Sequence, residues 1–140
     1  MAGSERAGQR LRVLISIQGP VAVAHCAGTL DRRSVDELAT RLRPLLFAGV
    51  RGVVCALERV EHVHFQALEL FVELHRLVRS AGGHFVLAGA TPYVRQILDF
   101  GGVPAQVTVS ASRGEAVEAL QAELPPAAAA ARSSVQPSLL

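Results

Sequence analysis

The sequence predicts an α/β fold: a mixed β-sheet, an opening hairpin plus parallel crossovers, packed with about four helices in the order ββαβαβαβα. Three observations carry this. Short apolar runs rich in Val, Ile and Ala come first as a pair, then alternate with stretches of helical periodicity. Glycine pairs or Gly-Pro punctuate them at Gly19-Pro20, Gly82-Gly83 and Gly101-Gly102. The 140 residues are 50% hydrophobic, with five Phe, one Tyr and no Trp, which suits one domain with an aliphatic core.

Each element has its own signal. Leu11 to Gln18 alternates Leu11, Val13, Ile15 and Ile17 against Arg12, Leu14, Ser16 and Gln18, as a strand with one buried face does. Gly19-Pro20 turns the chain, and Val21 to Ala27 returns as the second strand of a hairpin. Ser34 with Glu37 reads as a capping box, and Val35, Leu38, Ala39, Leu42, Leu45 and Leu46 follow at helical spacing. Pro44 should kink or weaken the last turn, and Gly49 should end it. Gly52 to Leu57 is nearly all apolar, as a central strand covered on both faces requires.

A short polar turn is expected next, then a helix from Phe65 to Ser80. Its wet stripe is Gln66, Glu69, Glu73, Arg76 and Ser80; its core face is Ala67, Leu70, Phe71, Leu74, Leu77 and Val78. Leu68 and Val72 widen the apolar arc beyond one core face. His84 to Gly89 is a buried strand. Thr91 caps a third helix with Pro92 at its first position, where a missing amide is harmless. Gln106 to Val109 is a short strand, and Ser112 with Glu115 caps a last helix holding Ala116, Val117 and Leu120 inside. Residues 1–9 read as a loose terminus, 10–123 as the domain, and 124–140 as a low-complexity tail without packed structure.

Composition excludes several functions. The net charge is +2, and all fourteen cations are arginine. Biased codon usage accounts for this; arginine chosen for phosphate contact is the sharper alternative. Acidic residues are interspersed and no basic block carries aromatics, so no nucleic-acid partner is expected. Cys26 and Cys55 lie in apolar runs, without CxxC or metal spacing, and read as buried reduced thiols. No run approaches the length of a membrane span, so no membrane insertion is expected. The segment LISI is too short for a signal-peptide core, and the chain is expected to be cytoplasmic.

The element order and several motifs together resemble the STAS domain, the fold of anti-sigma factor antagonists, over about residues 10–123. Gly28-Thr29-Leu30-Asp31 resembles the family's G-x-L-D, and Ser34 falls where its helix-capping Ser or Thr stands. Gly52-Val53-Val54 matches the central strand, and Leu68 matches the leucine after the active turn. The run Ala81-Gly82-Gly83-His84-Phe85-Val86-Leu87-Ala88-Gly89 is close to A-G-G-x-x-x-L-x-G. Pro92, Val94, Leu98 and Gly101-Gly102 resemble the third helix and its glycine end.

One segment departs from the pattern. The family's strand commonly ends D-L-S-G-V and is followed by D-S-x-G-L, whose serine accepts phosphate. Here the residues are Ala56-Leu57-Glu58-Arg59-Val60 and His64-Phe65-Gln66-Ala67-Leu68. Phe65 occupies the acceptor position and offers no nucleophile. The resemblance therefore implies a non-enzymatic protein-interaction module without phospho-switching at position 65. It would bind a regulatory partner, such as an anti-sigma or kinase-like protein, through residues 58–76. The expected partner-binding residues are Asp31, His62, His64, Phe65, Gln66, Leu68, Glu69 and Val72.

Alternatives stay open. Some members of the family regulate ABC-type lipid transporters by binding the ATPase, and others build stressosome-like scaffolds. A homodimer is also compatible. Phe65 is either a fixed apolar anchor or an inward staple of the helix start. Asp31 is either partner-facing or a local cap. His62, His64 and His75 suggest a metal only if further ligands converge, and surface histidines are the plainer reading. No catalytic residues and no cofactor are expected: neither GxxxxGK[ST] nor GxGxxG occurs, and Ser, His and Asp lack motif context.

Overall fold

The structure, a computed structural model, describes residues 11–124. The termini expected to be loose over 1–9 and low in complexity beyond 124 lie outside the described residues. The elements are β1 (Arg12–Gln18), β2 (Val21–Leu30), α1 (Arg32–Phe47), β3 (Gly52–Val63), α2 (Phe65–Ser80) and β4 (His84–Ala88). They continue with α3 (Pro92–Phe100), a 3-10 turn (Val103–Ala105), β5 (Thr108–Ser110) and α4 (Arg113–Glu123). The expected order is reproduced, with the 3-10 turn added.

One five-stranded sheet runs β1-β2-β3-β4-β5. β1 pairs antiparallel with β2, and every later pair is parallel. Each crossover thus steps in the same direction across the sheet. Right-handed crossovers then place α1, α2 and α3 on one face. The larger core lies there, between Cys26, Val53, Cys55, Leu57 and Leu87 of the strands and Leu38, Phe71, Leu74 and Leu98 of the helices. The other face is covered by α4, whose Ala116, Val117 and Leu120 pack on Val21, Val23, Val54, Ala56 and Val86. Leu124 joins this second core, so packing reaches one residue past the expected domain end. Gly52 to Leu57 is buried throughout because cores lie on both sides of it.

Four local expectations change. The polar segment after Leu57 is strand, not turn, because β2 continues to Leu30 and supplies the partner ladder as far as Val63. Val60 and Val63 point into the core while Glu58, Arg59 and Glu61 face water. The register shifts twice: His25 pairs Ala56 but Ala27 pairs Arg59, and Gly28 pairs Val60 but Thr29 pairs His62. Gly28 takes φ 111° at the second shift, a conformation that side chains resist.

β1 is an edge strand, so its apolar face is only half covered and Ile17 is 51% exposed. Arg41 of α1 donates to the carbonyl of Val13 at 2.9 Å and occupies part of that edge. β5 is limited to Thr108–Ser110 because the amides of Gln106 and Val107 donate back to the Val103 carbonyl of the 3-10 turn.

The cap of α1 is Asp31 rather than Ser34. Asp31 is extended (φ −127°), and its carboxylate accepts the Ser34 amide at 2.8 Å. Ser34 sits at the third helical position and donates its hydroxyl to the same oxygen at 2.7 Å. A carboxylate is the better acceptor and suits the positive end of the helix dipole. Thr91 and Ser112 cap as expected, accepting the amides of Val94 and Glu115. Pro44 lies inside α1, which nonetheless continues to Phe47.

The Ser34 hydroxyl, then its amide, hold the Asp31 carboxyl below its ordinary value, with His64 and Arg33 adding to them and burial opposing. A depressed carboxyl stabilises the fold above its unfolded pKa of about 3.9 and stops doing so as pH falls through the lower folded value. Asp31→Ala is expected to cost about 1 kcal/mol at neutral pH, within the usual range for a lost cap. Urea midpoints of wild type and variant measured from pH 7 downward should converge below about pH 3.9. A gap that stays constant to low pH would contradict the carboxylate's role.

Candidate functional site

The length of β3 sets the position of the site. β4 stops pairing at Ala88 opposite Ala56, but β3 runs on beside β2 to Val63. The amide of His64 then donates to the Leu30 carbonyl at 2.8 Å. This bond fixes the entry to α2 against the end of β2, one residue from Asp31. His64 is the extended residue before α2 (φ −69°, ψ 147°), without a side-chain cap bond. Phe65 is the first helical residue, where side chains project from the sheet's carboxyl end.

The predicted residues separate into two groups. Phe65 is 82% exposed, so the inward-staple reading fails. His64, Gln66 and Glu69 are also exposed, and His62 and Val72 are half-buried. Asp31 lies close enough to His64 for their charges to interact. Leu68 departs from the expectation. It is only 5% exposed and packs under Gly101, so it is chiefly a core residue that shows only an edge in the floor of the groove described below. A Cβ at Gly101 would stand 2.5 Å from Leu68 Cδ1, so a side chain there would force Leu68 to shift. The wide apolar arc of α2 is thus explained: Leu68 packs against the glycine end of α3 as well as the sheet-side core.

The surface has two parts. On one side His62 is edge-on to His64 with ring centres 5.1 Å apart, and stacks on Tyr93 at 5.8 Å. The hydroxyl of Tyr93 lies 2.9 Å from His62 Nδ1. On the other side a groove of about 350 Å³ runs from Phe65 over Leu68 and Val72 to Gly101. Glu69, Glu73, Arg76 and Gln106 rim it. Phe100, the residue before Gly101, is 95% exposed. Tyr93, Phe100 and Gln106 were not foreseen. The first two carried a readable signal, since they fall out of step with the buried Val94 and Leu98 of α3.

The arrangement offers little reactive chemistry. Among the described residues no three His, Cys, Asp or Glu side chains converge as a metal would need. His75 lines a separate cavity with Arg79 and His84, away from His62 and His64. Ser16 Oγ lies 3.1 Å from His25 Nε2, but Arg113 approaches His25 Nδ1 at 3.3 Å and bonds Glu58 at the same distance. A guanidinium only donates, so Nδ1 is the acceptor and Nε2 carries the proton. The ring therefore donates to Ser16 and cannot take its proton. Cys26 and Cys55 are free and buried, with sulfurs 3.6 Å apart. The Cys26 hydrogen bond, then burial, push the Cys55 thiol well up, which keeps it protonated and unreactive.

The contrast between Leu68 and Phe65 is measurable. Leu68→Ala opens a cavity and is expected to cost about 2–5 kcal/mol. Phe65→Ala removes only solvated surface and should stay within about 0.5 kcal/mol of wild type. Chemical denaturation of both variants checks the pair; equal losses would refute the assignment of one to the core and one to the surface.

No curated protein sequence matches the chain. Solved structures do. An anti-sigma factor antagonist from Mycobacterium paratuberculosis superposes with a TM-score of 0.70 at 16% identity, over 81% of this chain and 96% of that one. RsbS from Moorella thermoacetica gives 0.66 at 25% identity, over 79% and 95%. The murine anion transporter Slc26a9 gives 0.72 at 13% identity, over 87% of this chain and 24% of the transporter. A family model described as the STAS domain matches residues 12–116. With that match over most of its length, the chain belongs to the STAS domain family, and its fold is that of anti-sigma factor antagonists.

Proposed function

We propose that the protein is a non-enzymatic interaction module of the anti-sigma factor antagonist type. It docks a regulatory protein through the start of α2 and does not switch by phosphate at position 65. The observation that carries this is Phe65, 82% exposed at the first residue of α2, where the family places a phosphorylatable serine. An exposed aromatic of this kind contributes about 1.5–3 kcal/mol when a partner buries it. A phosphoserine there would instead add a charge of about −1.5 to −2 beside the amides of the helix start. The two states of a switch are replaced by one permanently apolar state.

Residues around Phe65 support the same reading. His62, His64 and Tyr93 form a polar–aromatic border, and Gln66 and Glu69 give it exposed donors and acceptors. Asp31 sits at the edge, with its carboxylate already engaged by Ser34. An interface with an aromatic centre and a polar rim is how protein partners are usually held. In this reading control comes from partner supply or from another site. No helix among the described residues is long and apolar enough to cross a membrane, which suits a partner met in the cytoplasm.

Two measurements test the proposal. Phe65→Asp should weaken capture of the partner from the native cytoplasm by about tenfold or more while leaving the unfolding midpoint near wild type. Unchanged capture with an intact fold would show that Phe65 is not an anchor. Incubation with the cognate kinase and ATP should leave residues 60–70 without phosphate in a mass spectrum of the digest. Phosphate mapped to that stretch would sink the fixed-state reading. A captured transporter ATPase, or a large homo-assembly by light scattering, would move the module to a transport or scaffold role on the same surface.

A further inference from the structure

At the opposite end of the sheet, the short β5 leaves a notch. β5 pairs only with Val86–Ala88, so His84 and Phe85 of β4 extend past it without a strand neighbour on that side. The notch is a cavity of about 410 Å³ between the last turns of α2 and α4. Phe85, Val86 and Val109 lie along its base, and Ala119 and Leu120 of α4 form one apolar wall. The opposite wall is basic. Arg79 NH1 donates to His84 Nδ1 at 3.2 Å, which leaves His84 Nε2 as the protonated nitrogen and a free donor. Among the described residues Arg79 makes no ion pair; the pairs there are Arg95–Asp99 and Arg113–Glu58.

We propose that this notch binds a small amphipathic carboxylate, its head on Arg79 and His84 and its alkyl body on the apolar base. The complementarity is specific in kind. A planar guanidinium matches a carboxylate through two parallel bonds, and His84 Nε2 supplies a third donor. The volume is in the range of small-molecule sites, about 300–1,000 Å³. His75 lies beside the basic wall without adding charge to it. Its Nδ1 is sealed from water without a partner, and burial, then Arg79 and Arg76, lower its basicity, so the ring stays neutral and adds no counter-charge. Glu123 on the α4 wall opposes an anion and biases the head toward the α2 side. The notch is remote from Phe65, so the proposal stands whether or not the docking reading does.

Decanoate, below the concentration at which it forms micelles, is the probe, with decanol as its uncharged twin. Titration of the full chain followed by NMR should give saturable shifts at His84, Arg79 and Ala119. Arg79→Gln should weaken decanoate about tenfold or more, as expected for a lost charged hydrogen bond. Decanol should bind wild type and Arg79→Gln equally weakly. Ala119→Phe, a change at an exposed helix position, should fill the notch and abolish the shifts while the spectrum stays folded. Shifts that never saturate, that map away from the notch, or that are the same for decanoate and decanol would overturn the proposal.

Discussion

The pairing of β2 with β3 beyond the reach of β4 is the constraint on which the rest depends. Over Gly52–Ala56 the central strand has neighbours on both sides; over Arg59–Val63 it has β2 alone. That second half still forms because Val60 and Val63 bury almost completely and Leu30 closes the ladder with the His64 amide. The register shifts turn the extended strand so that its apolar residues stay in one core. Without this extension, α2 would begin nearer the middle of the sheet, and Phe65 would meet the core. With it, the first residue of α2 stands clear of the sheet and meets water.

The same geometry explains why neighbouring apolar residues take opposite roles. Phe65 and Leu68 are three apart and share a helix face in outline. Leu68 lies one turn further in, where Gly101 at the end of α3 leaves room for it. Phe65 lies where the chain emerges, with only the groove of about 350 Å³ beside it. Exposing a phenylalanine forfeits burial energy that the fold would otherwise gain. The domain tolerates this because two separate cores, one on each face of the sheet, supply its stability.

Reactive groups are quietened by their surroundings rather than absent. The Ser16–His25 pair has the right distance for proton transfer, but Arg113 fixes the ring as a donor. Cys26 and Cys55 face each other in the core, where burial favours the neutral thiol. Asp31 is an ionised helix cap held by Ser34. Two surfaces stand out among the described residues: an apolar patch with a histidine–tyrosine border at one end of the sheet, and a basic-walled notch at the other.

The sequence by itself determined the element order, the helix faces, the family resemblance and the phenylalanine that opens α2. These depend on local periodicity, turn residues and motif spacing, all of which are properties of short stretches. The wet stripe of α2, the Thr91 and Ser112 caps and the pairing of apolar strands with aliphatic helices follow from them directly. Only the tertiary structure decided where β3 stops, because that depends on how far β2 reaches alongside it. Only the structure put Leu68 inside and Phe65 outside, since the difference comes from Gly101, more than thirty positions away in the chain. The choice of Asp31 over Ser34 as cap turned on where β2 stops, since Asp31 is the extended residue between Leu30 and the first turn of α1. Tyr93 joined the site because the start of α3 lies beside the end of β3, where its ring stacks on His62, a contact that no local pattern encodes.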